Sequence, residues 1–351
     1  MTTRRNFIKQ TVTAGVAGSI LPHYLFAQEK PVQNNMIWAN LLHLSVNMWD
    51  DTTPLSYRNS NYKFTTCNET IKRGYQPSLF FDEDVWNTIL KDMSAVGMNM
   101  VVIDLGDAIL YDSHPEIAVK NAWTPEKLKN ELAKMRKLGL EPIPKLNFST
   151  THDIWLGEYS RMVSTKKYYD VCRDLIHEVI DLFDTPRFFH LGMDEETAGY
   201  QRNLDYVVIR QNDLWWGDLY FYIGEVEKKG VRSWIWSDYA WNHPDIFFKK
   251  MPKSVLQSNW FYGSSLDKEK SKEVALYHQL EAHGYDQIPT GSNWSNDTNM
   301  EATVDYCKDF IDKSRLLGFM TAPWFSTTPP CLGKHKEAIS QMGSAIRKYR
   351  M

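Results

Sequence analysis

Three consecutive carboxylates, Asp194, Glu195 and Glu196, follow directly on an apolar run that includes Phe188, Phe189 and Leu191. Such a run reads as an interior strand of a parallel sheet, covered on both faces. Acids placed where that strand leaves the sheet stand on the functional rim of an α/β fold. There they can donate a proton, take one up, or orient a polar group of a substrate. A plainer reading also fits: Glu195 and Glu196 open the next helix, where negative charge offsets the dipole. For Glu196 the plainer reading is the better one.

The elements that must hold these groups alternate along the chain. Strand patterns fall at 37–49, 98–104, 140–148, in the run before the acids, and at 231–239, 255–260, 285–294 and 319–325. Helical patterns fall at 82–96, 124–139, 166–183, 213–229, 243–250, 272–283, 300–317 and 334–349, with a polar, turn-rich insertion at 50–80. Thr124-Pro125-Glu126 is a favourable helix start, with proline in the first turn. Gly97, Gly139, Gly230 and Gly318 each stand between a helical pattern and the next short apolar strand, as in βαβ units. Eight such units predict an α/β fold of the (β/α)8 TIM-barrel kind in a single catalytic domain, residues 35–351. A doubly wound sheet is the competing arrangement.

In a barrel the strand ends converge. Asn47 and Trp49 come from the first, Asp104 and Asp107 from the second, Lys145 and Asn147 from the third. The fourth brings Asp194 and Glu195, and the fifth Asp238 and Trp241. Trp260 and Tyr262, then Asn293 and Trp294, then Trp324 complete the rim. Acids, amides and aromatic rings in that mixture suit a carbohydrate, whose C–H faces lie flat on indoles. An aromatic content of 13%, with 13 tryptophans, supplies those rings. A formal net charge of −3 argues against a nucleic-acid surface, so the expected partner is a carbohydrate substrate.

The first residues stand apart. Arg4-Arg5 precede a modest apolar run from Thr11 to Ala27, the pattern of a twin-arginine export signal over residues 1–27. Cleavage near Ala27 would leave a periplasmic or secreted protein without membrane anchoring. Of the four cysteines, Cys172 and Cys307 fall within helical patterns and read as buried thiols. Cys67 and Cys331 carry no pairing that spacing alone decides, and no zinc-ligand spacing is present. No cofactor or metal is expected.

A retaining glycosidase ordinarily uses two carboxylates about 5 Å apart, one of them a nucleophile. The seventh strand, where the second acid often stands, reads Gln287-Ile288-Pro289-Thr290-Gly291-Ser292-Asn293-Trp294 and offers none. Two neighbouring residues of a regular strand point in opposite directions, so Asp194 and Glu195 cannot flank one bond as acid and nucleophile. An arrangement without a protein nucleophile accounts for the pair. The substrate's 2-acetamido oxygen attacks the anomeric carbon, Asp194 orients the amide, and Glu195 protonates the leaving oxygen.

His190-Leu191-Gly192-Met193-Asp194-Glu195 resembles the His-x-Gly-Gly-Asp-Glu motif of family 20 glycoside hydrolases, the β-N-acetylhexosaminidases. Asp104-Leu105-Gly106-Asp107 resembles that family's His-x-x-Asp and keeps its second acid. Ile143-Pro144-Lys145-Leu146-Asn147 resembles its Ile-Pro-Glu-Ile-Asp, with His152 displaced by one residue from the expected histidine. Trp234-Ile235-Trp236-Ser237-Asp238 and Met251-Pro252-Lys253 resemble later segments, so the similarity runs over about residues 82–262. It implies Asp194, Glu195, His152 and Asp107 as catalytic groups, with a relay Glu195–His152–Asp107 holding the acid protonated. Asp104, Lys145, Asn147, His190, Asp238, Trp241, Trp260, Tyr262, Trp294 and Trp324 are the implied sugar contacts.

Several positions depart from the family. No arginine stands near Asn47-Met48-Trp49-Asp50, and Trp324-Phe325-Ser326 lacks the acid of the family's Trp-Gly-Glu. Met193 occupies a glycine position, and Lys145 and Asn147 replace acids. These changes leave the acid–base pair and rebuild the groups that grip hydroxyls. The alternatives are a nucleophile-free inverting glycosidase with Asp107 or Asp238 activating water, and a non-catalytic carbohydrate-binding barrel. A metal-dependent isomerase using Asp104, Asp107, Asp194 and Glu195 is the remaining rival.

Overall fold

The computed structural model describes residues 36–48, 64–67, 69–71, 75–202, 204 and 206–350. The expected export signal and Trp49 lie outside the described residues. Strands β1 (Ile37–His43), β4 (Met100–Asp104), β5 (Glu141–Lys145), β6 (Phe188–His190), β7 (Arg232–Trp236), β8 (Leu256–Ser258), β9 (Thr290–Gly291) and β10 (Gly318–Thr321) form one parallel sheet. Its order is β8-β7-β6-β5-β4-β1-β10-β9. Single bridges Gln257–Gln287 and Trp260–Thr290 join its two ends, so the sheet closes into a (β/α)8 barrel. The remaining strands, β2 (Phe64–Thr66) and β3 (Glu69–Ile71), make an antiparallel hairpin inside the insertion read as turns.

Around the barrel lie α1 (Glu83–Val96), α2 (Pro125–Lys137), α3 (Lys166–Leu182), the short α4 (Ala198–Gln201), α5 (Asn212–Lys228), α6 (Pro244–Lys250), α7 (Lys272–Ala282), α8 (Asn299–Lys308) and α9 (Leu332–Tyr349). Local chemistry sets their ends. The Asp82 carboxylate accepts the Val85 N–H at 2.8 Å at the start of α1, and Gly97, at φ 89°, ends it in the left-handed region. Thr124 and Ser271 cap α2 and α7 in the same way. The expected helix over 300–317 stops at Lys308, and the residues before β10 form turns instead.

Side chains alternate across each strand as the pleat requires. On β1, Trp38 and Leu42 join the apolar layer beneath the helices, whereas Ile37, Ala39 and Leu41 fill the barrel interior with Met100, Val102 and Ile143. The interior face continues upward to His43, Asp104, Lys145 and His190, which are paired neighbours in register. All four are buried. This polar layer, with the Asp104–Lys145 ion pair at its centre, floors the rim on which the acids stand.

Two cysteines separated by 264 residues, Cys67 and Cys331, form a disulfide that ties the β2–β3 hairpin to the turn before α9. Cys172 and Cys307 are free and buried.

Candidate active site

Strand β6 stops at His190, and the chain then leaves regular geometry. Gly192, Met193 and Glu195 take φ values of 72°, 74° and 57°. A Cβ at Gly192 would lie 1.9 Å from Asn147 Oδ1, so only glycine fits. Met193 and Glu195 carry side chains in the left-handed region, which costs on the order of 1 kcal/mol each. That strain has a geometric result. Asp194 Oδ2 and Glu195 Oε2 both approach His152 Nε2, at 3.5 and 3.1 Å. The alternation expected of a regular strand therefore does not hold here, and the two carboxylates face one group.

The segment 147–152 holds this turn by side-chain bonds. Asn147 donates from Nδ2 to Asp194 Oδ1 at 2.8 Å and accepts the Met193 N–H at 3.2 Å. Ser149 donates to the Asp194 carbonyl, and Thr151 to the Glu195 carbonyl at 2.7 Å. From the other side, Asp238 Oδ2 accepts the Glu195 N–H at 2.8 Å. Short hydroxyl side chains in a loop gave little sign of this in the sequence, yet they fix the pair in place.

Glu196 is not a helix-start residue, since α4 begins at Ala198. Its carboxylate forms a buried, two-point ion pair with Arg210, at 2.9 Å from Nε and 2.6 Å from Nη2. It also accepts the Thr150 N–H at 3.1 Å. Arg210, which sequence reasoning passed over, adds Asp218 at 3.1 Å and the Phe148 carbonyl at 2.6 Å. Breaking a buried pair from one side costs about 3–5 kcal/mol, against at most about 1 for an exposed dipole contact. Glu196→Ala should lower unfolding stability by about 3–5 kcal/mol in a denaturant titration. A loss under about 1 kcal/mol would restore the helix-start reading.

The implied relay forms only in its first link. His152 Nδ1 faces the Met48 carbonyl at 3.3 Å, while Asp107 accepts from Ser45 at 2.5 Å and Asn47 at 2.8 Å. Burial lifts the Asp107 carboxyl to about 6 against those two bonds. A backbone oxygen thus orients the imidazole where an acid was expected. Burial alone would lower the His152 pKa, but Asp194 and Glu195 outweigh it and raise it to about 9.

Because that pKa rises from 6.5, the ion pair is fully present below about pH 6.5 and is lost as pH climbs through about 9. Activity that depends on a proton shared between His152 and Glu195 should fall on the alkaline side near pH 9. His152→Gln should move that limb to lower pH; an unmoved limb would take His152 out of the proton inventory.

The remaining expected contacts divide. Asp104 and Lys145 are fully buried and paired with each other, and His43 lies 3.6 Å from the same carboxylate. Lys145 and its neighbours hold Asp104 below the usual carboxylate range although burial opposes this. Both are closed off from solvent inside the barrel. His190 is also buried: its Nδ1 accepts the Gly192 N–H at 3.0 Å, and burial holds its pKa well below the ordinary value. That bond supports the turn, while its Nε2 is buried without a hydrogen-bond partner among the described residues. Asn147 positions Asp194, as described.

Asp238 stands close to the pair, with Trp260 Nε1 3.4 Å from its second oxygen. Burial, and then the charge of Asp194, raise its pKa to about 8, so this third carboxyl is neutral near pH 7. Trp260 stacks on Tyr262 with ring centres 5.0 Å apart, and Trp324 Nε1 donates to the Tyr262 hydroxyl at 2.9 Å. Trp241, edge-on to Trp260, is anchored through Asn259 at 2.9 Å. Trp294 rests against Phe325 and is the most open of these rings, at 40% exposure.

One nitrogen or oxygen each from His152, Asp194 and Glu195 lie within 4.8 Å of one another, a spacing that could also hold a metal ion. A ligand imidazole must be neutral, and the raised His152 pKa opposes that. Asp104 and Asp107, needed by the isomerase reading, are engaged elsewhere. The arrangement is better suited to proton donation from Glu195 beside a carboxylate fixed by an amide.

No family model matches the chain, and no curated protein matches it. Among solved structures, the chain is similar to a chitobiase from Flavobacterium johnsoniae, at 16% identity and a TM-score of 0.55, over 77% of this chain and 49% of that one. It is similar to an exo-β-N-acetylglucosaminidase from Vibrio harveyi, at 12% identity and a TM-score of 0.56, over 90% and 57%. A β-N-acetylhexosaminidase from Streptomyces coelicolor gives 12% identity and a TM-score of 0.57, over 88% and 64%. The chain therefore spans about half to two-thirds of these proteins. At such identities the likeness is one of fold, and the fold is that of the family 20 barrels.

Proposed function

We propose that the chain is a glycoside hydrolase acting on β-linked N-acetylhexosamine glycans, with the substrate's own acetamido oxygen as nucleophile. The observation that carries this reading is the convergence of Asp194 and Glu195 on His152. Asp104 is tied to Lys145, Asp107 to Ser45 and Asn47, and Asp238 to the Glu195 backbone. Asp107 and Asp238 are thus each held by hydrogen bonds within the protein, apart from the pair that meets His152. The fold shared with hexosaminidase barrels adds support.

Glu195, the more open of the pair with 22% of its side chain exposed, donates its proton to the glycosidic oxygen as the C–O bond breaks. The acetamido oxygen closes on the anomeric carbon to give an oxazolinium ion. Asp194, pinned by Asn147, accepts the amide N–H and stabilises the positive charge. Water then opens the ring from the face the leaving group vacated, Glu195 takes its proton, and the configuration is retained. The proton that Glu195 donates reaches it from His152 along the 3.1 Å contact, and the water's proton passes back to His152 the same way.

A thiazoline mimic of the cyclised intermediate should compete with an aryl 2-acetamido glycoside for the enzyme. Equal hydrolysis of the 2-hydroxyl analogue would sink the assisted mechanism, and activity abolished by chelators would favour metal chemistry. The reading includes export through the twin-arginine signal; the Cys67–Cys331 disulfide supports an oxidising compartment. Periplasmic or culture-medium fractions should hold a form lacking about the first 27 residues. Retention of the full-length chain in the cytoplasm would contradict that part.

A further inference from the structure

Glu195 hangs from a strained backbone, at φ 57°, so groups outside the residue must hold it there. The next residue does so through one guanidinium. Glu196 Oε1 accepts the Arg210 backbone N–H and Nε–H, each at 2.9 Å. Its Oε2 accepts from Arg210 Nη2 at 2.6 Å and from the Thr150 N–H at 3.1 Å. Arg210 Nη2 also donates to the Phe148 carbonyl at 2.6 Å. Residue 196 is thereby tied to residues 148 and 150, on the segment that brings Asn147, Ser149, Thr151 and His152 to the catalytic pair. Gln201, on α4, adds to the tie by donating to the Thr150 and Thr151 hydroxyls at 3.1 and 3.2 Å.

Arg210 is itself fixed from behind. Its Nη1 donates to Asp218 at 3.1 Å and to the Tyr222 hydroxyl at 2.9 Å, both on α5. Asp218 accepts in addition from Ser164 at 2.6 Å and from Tyr169 on α3. The cluster is out of reach of a substrate, for Arg210 is 3% exposed and Asp218 fully buried. Meeting two carboxylates, a hydroxyl and a carbonyl at once takes several N–H donors fixed in one plane, which a lysine does not have.

We propose that Arg210 is a positioning residue for proton transfer: by locking residue 196 to residues 148 and 150, it sets the 3.1 Å approach of Glu195 to His152 without touching the sugar. This rests on the hydrolase reading above.

The test compares two β-glycosides of N-acetylglucosamine, one with an acidic phenol as aglycone and one with a simple alkanol. Arg210→Lys keeps the positive charge but cannot engage both Glu196 oxygens and the Phe148 carbonyl together. Misplacing a reacting group by about 1 Å can cost about 10²-fold. On the alkyl glycoside kcat/KM should therefore fall by about ten- to a hundredfold. On the phenol glycoside, which needs little protonation, it should fall less than about threefold. An arginine that served only stability would reduce the amount of folded enzyme and lower both values by one factor. Glu196→Gln is the second variant, so that the outcome does not hang on the folding of Arg210→Lys. It leaves Arg210 paired with Asp218, but its amide nitrogen cannot accept the donors that one carboxylate oxygen now receives. It should show the same aglycone-dependent loss. Equal losses on both glycosides, or none on either, would overturn the positioning role and leave the hydrolase reading standing. A wild-type protein that cleaves neither glycoside would overturn the hydrolase reading, and this role with it.

Discussion

Glu195→Gln should reduce kcat/KM on a natural amino-sugar glycan by about 10²–10⁴-fold, the usual weight of general acid catalysis. The substitution keeps the length and polarity of a side chain that is only partly buried, so the fold should stand. The diagnostic is dependence on the leaving group. An aryl glycoside with an acidic phenol needs little protonation, so its bond cleavage should suffer far less than that of an alkyl or sugar aglycone. A loss equal for both aglycones would place Glu195 outside proton transfer. Binding of an oligosaccharide to this variant should survive, which separates a catalytic barrel from a carbohydrate-binding one.

The second large effect belongs to Asp194. Asp194→Asn should lower kcat on 2-acetamido substrates by about 10²–10³-fold, the scale expected when one oriented electrostatic group is lost from a transition state. Asparagine cannot carry the negative charge that offsets the oxazolinium. Its amide would also oppose the Asn147 Nδ2 that now donates to the carboxylate at 2.8 Å. KM should move less than kcat, because the charge matters most when the ring closes. Turnover unchanged in this variant would remove Asp194 from the mechanism.

How much of this was legible in the sequence depends on the range of the interaction. Periodicity and glycine stops located every barrel strand and most helices because those signals are local. The extents were less legible: β6 is only Phe188–His190 and β9 only Thr290–Gly291, since strand ends are set by pairing with neighbours. The β2–β3 hairpin and the Cys67–Cys331 bond depend on contacts remote in sequence, which spacing does not reveal.

The same division runs through the site. The Asp194-Glu195 pair stood out because apolar strands seldom end in adjacent acids. Asp104 and Lys145 were chemically plausible sugar ligands, and only their shared register, Cα partner to Cα partner on β4 and β5, turns them toward each other inside the barrel. Asp107 was a reasonable partner for His152 until Ser45 and Asn47, from the end of β1, engaged it first. Glu196 looked like dipole matching because its true partner, Arg210, lies beyond a short helix. Residue type gave no sign of the left-handed Met193 and Glu195, for neither favours such a conformation, and only the family's glycine at position 193 hinted at the first.

The central claim is that the nucleophile belongs to the substrate. Aryl glycosides whose 2-acetamido group carries none, one, two or three fluorine atoms test it most directly, because each fluorine weakens the amide oxygen without greatly changing its size. A steep, monotonic fall in kcat/KM along that series is the expected result. A flat series in the wild-type enzyme would mean that some other group attacks the anomeric carbon, and the account built on Asp194 would fail.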